Sequence, residues 1–319
     1  MAAIDVLEIT TPGLLTTVQD LGRFGFGRFG VAPSGVLDNV AMRVGNLLVD
    51  NLESEAVLEL TLPGFKANIL SDVVVALTGA DLGLHINGKT YGPWRSYRLG
   101  PGDILSLESL NSGCRSYLAV GGGLQVPEVL GSRSTNLGSG FGGLEGRSLR
   151  RGDILKADSP RHHLHAAGRK YDLNAVPAYS NDWEARVVMG PQNEHFPDES
   201  CDRFLNTVYK VSPQSDRTGI RLHGSPIAVR EGQPESIISE GIISGAIQIP
   251  GDGQPIIILG ETVSGGYRKI ATVISADLHM LGQIMPGDQV RFSAVNLREA
   301  RQALWRLEET IGRLRDSLL

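Results

Sequence analysis

The sequence predicts a mainly β chain of two related β-barrels, with few short helices and one amphipathic helix at the C-terminus. Glycine accounts for 40 of the 319 residues, about twice its usual share. With no Gly-X-Y period, that richness points to many tight turns and hence many short strands. The apolar runs are correspondingly short and rich in Val, Ile and Leu, as in Val73-Val74-Val75-Ala76-Leu77, Ala185 to Met189, Ile256 to Leu259 and Ala271 to Ile274, each bounded by Gly, Pro, Asn or Asp. Finally, a set of turn motifs occurs twice in the same order.

Leu82 to Tyr91 alternates around Asn87-Gly88, a pair suited to the left-handed dihedrals of a two-residue hairpin turn. Helical spacing of Asp38, Ala41, Met42, Gly45 and Leu48 predicts a helix within Val36 to Leu48. At the C-terminus Leu297, Ala300, Leu304, Leu307, Ile311, Leu314 and Leu318 recur at alternating steps of three and four, with Arg and Glu opposite. Such a stripe must be buried, either on its own domain or on a partner.

The repeat begins with Ser34-Gly35-Val36-Leu37-Asp38, matched by Ser215-Asp216-Arg217-Thr218-Gly219. Glu59-Leu60-Thr61-Leu62-Pro63-Gly64 is matched by Glu261-Thr262-Val263-Ser264-Gly265, and Gly79-Ala80-Asp81-Leu82 by Ser275-Ala276-Asp277-Leu278. Pro101-Gly102-Asp103-Ile104-Leu105 is matched by Pro286-Gly287-Asp288-Gln289-Val290, and Arg151-Gly152-Asp153-Ile154-Leu155 is a third turn of that kind. The expected division is a first barrel over 1–160, a second over 178–296 and the helix over 297–319. The polar, His-bearing stretch from Lys156 to Ser180 reads as the linker.

Charged residues are 20% and hydrophobic residues 41%, an ordinary globular balance that argues against wholesale disorder. The net charge is −5, so no basic face is expected for nucleic acid or an anionic membrane. Arginines number 24 against six lysines. Arg forks suit carboxylate and phosphate, although codon bias explains most such excesses. The two cysteines, Cys114 and Cys201, form neither CxxC nor zinc spacing. With no basic-then-apolar leader in MAAIDVLEITTPG and no bilayer-length apolar stretch, a cytoplasmic location is expected.

Several motif matches fail on context. Gly83 to Thr90 spells a Walker A loop, but its interior alternates like a strand and Tyr91-Gly92-Pro93-Trp94 cannot open a helix, so a hairpin is expected. Gly25 to Gly30 and Gly138 to Gly143 both spell GxGxxG, yet neither follows a strand or opens a helix. Arg161-His162-His163-Leu164-His165 has no carboxylate or Cys at ligand spacing, and no metal is expected. No GxSxG elbow and no Cys with an obvious His partner is present.

What remains is a set of polar clusters in turns: Thr16 to Arg23, Ser34 with Asp38, Gly131 to Thr135, Ser215 to Leu222, Ser239-Glu240-Gly241, Gly245 to Pro250, and Gly253-Gln254-Pro255. Each can be purely structural, with a carboxylate capping loop amides and an arginine pairing with it. If they converge, they make a site for a planar amide or carboxylate. The expectation is one cleft between the two barrels.

These clusters resemble one family. Thr16-Thr17-Val18-Gln19-Asp20-Leu21-Gly22-Arg23, Gly30-Val31, Ser34-Gly35, Asp38 and Asn46-Leu47-Leu48-Val49 are similar to its N-terminal signature. Leu118 to Gly122 and Leu130 to Thr135 resemble its middle. Ser215 to Leu222, Ser239-Glu240-Gly241, Gly245 to Pro250, Gly265-Gly266-Tyr267 and Ile274 to Leu278 resemble its second half. The family is that of the 5-oxoprolinase C subunits, also called the biotin-dependent carboxyltransferase, allophanate-hydrolase-subunit-2 or KipA family. The resemblance runs from about Leu7 to Phe292.

The resemblance implies two cyclophilin-like barrels and a role within a larger enzyme. Together with the A and KipI-like B subunits of 5-oxoprolinase, such a chain opens the lactam of 5-oxoproline to glutamate at the expense of ATP. Alternative family roles are a carboxyltransferase component of the urea carboxylase type and a KipA-like antagonist that binds a kinase inhibitor. No Met-Lys biotinylation site is present, so a carboxyl-transfer role needs a separate carrier. On the lactam reading, Asp20, Asp38, Asp216 or Glu240 acts as general base if burial raises its pKa. Arg23, Arg217 and Arg221 hold carboxylate or phosphate, Gln19, Gln248 and Gln254 orient the amide, and Ser34 and Tyr267 complete the expected substrate contacts. One segment departs from the pattern. The family commonly has an acid five positions before Gly-Gly-Tyr, then a Gln and two threonines, and a Pro after the Tyr; here stand Gly260, Thr262, Val263, Ser264 and Arg268, with Glu261 beside the acidic position.

Overall fold

The computed structural model describes residues 3–234 and 236–318. Alternation and turn chemistry govern the strands, which fall into two units: Met1–Arg23, Ser34–Tyr179 and Thr310–Leu319 in the first, Phe24–Pro33 and Ser180–Glu309 in the second.

The first unit has two sheets. One runs Ile154–Ala157, Ile4–Pro12, Phe65–Ile69, Ile104–Leu107, Leu84–Ile86, Lys89–Tyr91 in spatial order, and the other runs Leu15–Gln19, Val57–Thr61, Ser112–Val120, Val73–Asp81, Arg95–Leu99. Both send side chains into one core that includes Leu7, Ile9, Leu58, Leu60, Val75, Leu105 and Leu118. The strand Val73–Asp81 is buried on both faces through Ala80. Its outer face is covered by helix α1 (Asn39–Leu48), where Thr78 Oγ1 donates to Ala41 O at 2.6 Å. A Cβ on Gly45 would stand 2.9 Å from that same Oγ1, so the helix approaches the sheet as closely as a missing side chain allows. The helix begins three residues into the expected segment, because Asp38 takes φ of −116° and ψ of 90°, outside helical dihedrals. Asp38 then caps it, its Oδ1 accepting from Ala41 N at 2.9 Å.

The hairpin at Asn87-Gly88 forms as expected, with Leu84–Ile86 antiparallel to Lys89–Tyr91 and both turn residues left-handed, at φ 51° and 75°. The Walker-like letters therefore lie in a β-turn. The stretch expected as a linker packs within the first unit: His163 Nδ1 lies 3.1 Å from Val49 O, and Arg169 Nη1 donates to Leu47 O at 3.3 Å.

The second unit closes a seven-stranded barrel in the order Asp182–Met189, Arg268–Val273, Ala246–Ile249, Ile256–Ile258, Gly219–His223, Tyr209–Val211, Gln289–Ala294. Closure is made by a parallel pairing of Asp182–Met189 with Gln289–Ala294, leaving no open edge. Helix α2 (Asp198–Asn206) adds Phe204 to a stack on Phe292, centroids 4.6 Å apart, beside Tyr209. A short helix α3 (Leu278–Leu281) follows the strand Arg268–Val273.

The Gly-Asp turns share one physical cause. Asp103, Asp153 and Asp288 each accept a hydrogen bond from the backbone N–H three residues earlier, at Gly100, Arg150 and Met285, over 2.7 to 2.9 Å. The aspartate replaces a backbone acceptor and sets the turn. The C-terminal helix α4 spans Leu297–Leu318. It opens with a reciprocal cap, Asn296 Oδ1 accepting from Arg298 N and Glu299 N while Glu299 Oε2 accepts from Asn296 N. Its stripe is buried towards the C-terminal end, at Ile311 and Leu314, while Leu297 at its start is 65% exposed and Trp305 is 70% exposed.

Candidate functional site

In the first unit the expected site residues form a braced polar layer. Asp20 is buried and accepts four hydrogen bonds: from Gly22 N (2.8 Å), Ser132 Oγ (2.6 Å), Ser134 Oγ (2.5 Å) and Arg133 N (2.6 Å). A carboxylate so engaged ties the loop 131–135 to the strand end. Arg23, 1% exposed, donates to Val129 O and Ser134 O and lies 4.7 Å over the Phe141 ring. Its guanidinium thus clamps that loop rather than facing solvent. Gln19 donates to Thr17 Oγ1 and Thr135 O, at 3.0 and 3.1 Å. Gln19 Oε1 and Ser34 Oγ are buried without a hydrogen-bond partner among the described residues.

Asp38 Oδ2 accepts from Tyr179 OH (2.9 Å), and Asp38 N donates to Tyr117 OH (2.8 Å). Tyr117 OH in turn donates to Glu59 Oε2 (3.0 Å), which also accepts from Leu37 N (2.9 Å). Burial first, then the Glu59 and Asp38 carboxylates, push the Tyr117 hydroxyl well above the usual tyrosine range. It therefore remains a neutral donor.

In the second unit Arg217 is buried and donates from Nε and Nη2 to Glu261 Oε1, each at 3.2 Å. Glu261 lies in a turn, not a strand, so strand alternation does not decide where it points. The two halves of the repeat thus use matching glutamates alike. Glu59 holds the Leu37 amide and lies 3.8 Å from Arg115, and Glu261 holds Arg217. Asp216 is exposed and caps its own turn, accepting from Thr218 N and Gly219 N. Arg221 is exposed, and its backbone N–H donates to Ser215 Oγ. Gln254 braces Gly224, accepting from its N–H and donating to its C=O.

Glu240, Gln248 and Tyr267 come together around a residue that sequence reasoning missed, Lys269. Its ammonium donates to Glu240 Oε1 with the lysine side chain only 7% exposed. Gln192 Nε2 donates to the same oxygen, while Gln192 Oε1 accepts from Lys269 N at 2.9 Å. The Lys269 contact first, then Gln192, holds the Glu240 carboxyl below the usual range, opposite to the rise expected of a general base. Gln248 pairs in register with Lys269 and donates to Tyr267 O at 3.3 Å. A Cβ at Gly265 would lie 2.1 Å from Gln248 Nε2, so a side chain there would displace that amide from its present position. Tyr267 is 40% exposed.

Arg268 is the departure with the clearest structural consequence. It is 1% exposed and donates to His195 Nδ1 (3.1 Å), Pro234 O and Gln233 Oε1. A guanidinium has no acceptor, so His195 Nδ1 is the acceptor in this contact. The signal for Lys269 was present in the sequence: one of only six lysines, standing two residues before the apolar run Ala271 to Ile274. Among the described residues no group of three or more His, Cys, Asp and Glu is placed to hold a metal ion. Of the linker histidines, His165 Nε2 pairs with Asp50 Oδ2 at 3.1 Å. No helix among the described residues is long and apolar enough to cross a membrane.

Residues 29–294 match the carboxyltransferase domain family, subdomain A and B. The chain belongs to that family. This carboxyltransferase-family chain is 38% identical over 302 residues to the 5-oxoprolinase C subunit of Escherichia coli (strain K12), covering 93% of this chain and 94% of that one. It is 34% identical to the 5-oxoprolinase C subunit of Haemophilus influenzae, covering 93% of each. Among solved structures it is similar to the Kluyveromyces lactis urea carboxylase, with a TM-score of 0.92 and 31% identity over 98% of this chain and 29% of that one. The family chain thus spans under a third of that larger enzyme.

Chemically, the Lys269–Gln192 pair offers an ammonium and an amide N–H to one oxygen. That arrangement suits a carboxylate or a carbonyl developing negative charge.

Proposed function

We propose that this chain is the C subunit of an ATP-dependent 5-oxoprolinase, acting with the enzyme's A and B subunits in the cytoplasm to open 5-oxoproline to L-glutamate. The observation that carries the reading is the end-to-end match to two 5-oxoprolinase C subunits, each covered over 93% or more of its length. In this reading Lys269 and Gln192 receive the substrate carboxylate, and the amide of Gln248 lies beside them under Gly265. Arg217 and Glu261 hold the adjoining turn as a buried pair. ATP is a co-substrate of the assembly. The Walker-like letters at Gly83 to Thr90 form a hairpin with no helix to aim amides at phosphate, so no step is assigned to ATP on this chain.

The test is co-purification with the A and B subunits, followed by ATP-dependent glutamate release from 5-oxoproline. Lys269→Met and Arg217→Lys are expected to abolish or sharply reduce turnover. Full turnover by both variants refutes the site. A second reading, carboxyl transfer to a urea-like acceptor, is favoured by the family match and the urea carboxylase likeness. It requires a separate biotin carrier, and biotin-dependent carboxylation without glutamate release would select it.

A further inference from the structure

Lys269 is buried, but its counter-ion is not: the lysine side chain is 7% exposed and that of Glu240 45%. A buried ammonium must keep an anion close, because desolvation without a partner is costly. Lys269 is fixed in the barrel strand Arg268–Val273, in register with Gln248. Glu240 stands on the two-residue strand Glu240–Gly241, whose ladder is with Ser264–Gly265 and lies outside the barrel. Gln192 is fixed as well, since its Oε1 accepts from Lys269 N at 2.9 Å, which turns its NH2 toward the carboxylate. The rigid parts of this contact are the two donors, and the acceptor is the peripheral part.

We propose that Lys269 and Gln192 form a carboxylate-binding seat that Glu240 occupies as a resident stand-in, and that a small-molecule carboxylate binds by displacing it. No bond is made or broken and no proton moves. One ionised carboxylate replaces another on the same ammonium, and Glu240 swings to solvent, where it is already half exposed. The lowered Glu240 pKa agrees with an ionised occupant. The seat is the one used in the functional reading above, so the proposal rests on that location, but it is read by binding rather than by turnover.

The experiment is calorimetric titration of the full chain with 5-oxoproline, acetate and 2-pyrrolidinone, the last being the lactam without the carboxylate. If Glu240 fills the seat nine-tenths of the time, removing it tightens carboxylate binding about tenfold, because apparent affinity scales with the open fraction. Glu240→Ala is therefore expected to bind 5-oxoproline and acetate about tenfold tighter than the wild type, with 2-pyrrolidinone unchanged. Lys269→Met is expected to lose the acetate signal. Glu240→Gln, a weaker competitor of the same shape, serves if the alanine variant misfolds and is expected to fall between the two. Equal or weaker acetate binding by both Glu240 variants overturns the stand-in role. Tightening of 2-pyrrolidinone to the same degree overturns the carboxylate class. Tightened acetate binding in a chain whose complex releases no glutamate refutes the functional reading alone and leaves this seat in place.

Discussion

Replacing Asp20 by alanine separates bracing from catalysis. Its carboxylate accepts from two backbone amides, Gly22 N and Arg133 N, and from two serine hydroxyls. The hydroxyls of Ser132 and Ser134 can rotate toward other acceptors, whereas the two amides cannot. A fully buried donor left unmade costs about 1–3 kcal/mol, and these two amides are part-buried. The expected loss is therefore about 2–4 kcal/mol, a large share of the roughly 5–15 kcal/mol that holds a typical domain. In a unit of this size that lowers the melting temperature on the order of 10 °C. Asp20→Asn keeps one acceptor oxygen and turns an NH2 toward a neighbouring donor, so about half the loss is expected. Urea titration followed by far-UV circular dichroism reads the midpoint shift, and the reconstituted complex reads activity. An Asp20→Asn chain with an unchanged midpoint and abolished turnover refutes the bracing argument and makes the carboxylate chemical.

Two further outcomes follow from ion pairs. Asp153 is held below the usual carboxylate range first by Arg147, whose Nη1 and Nη2 donate to its two oxygens at 2.7 and 3.0 Å, and then by Arg150 N. A depressed folded-state pKa gives stability that is full above the unfolded value of about 4 and is lost as pH falls through the folded value. Asp153→Asn should remove this acid-limb contribution, and equal steepness of the wild-type and variant acid transitions would exclude the linkage. For the buried pair, Arg217→Met alone removes the guanidinium that Glu261 Oε1 accepts from and is expected to cost about 3–5 kcal/mol. Adding Glu261→Gln should recover more than half of that in a double-mutant cycle; strict additivity of the two denaturation shifts would show that the pair is not coupled.

The fold was legible where local chemistry acts alone. Asn87-Gly88 dictates its turn through left-handed dihedrals, the Gly-Asp turns through a side chain that replaces a backbone acceptor, and α4 through an apolar stripe with a capping pair at Asn296 and Glu299. The start of α1 was less legible, since it is set by Asp38, whose extended dihedrals and cap on Ala41 N stop the helix short of Val36. The site residues were legible as types but not as roles. Asp38 and Glu240 are candidate bases in the sequence, on the condition that burial raises their pKa; in the structure Asp38 caps a helix, and Glu240 is half exposed with its pKa lowered.

The sequence by itself determined the mainly β class, the two-fold order of turns and the family, because turns and stripes are written within a few neighbouring residues. Only the tertiary structure decided which polar groups meet. Lys269 reaches Glu240 across 29 positions, Arg217 reaches Glu261 across 44, and Asp20 reaches Ser134 across 114. Lys269 is aimed by strand register, in which one residue of slip turns a side chain to the opposite face, whereas Arg217, Glu261, Asp20 and Ser134 stand in turns and loops whose meeting is set by the strands that carry them.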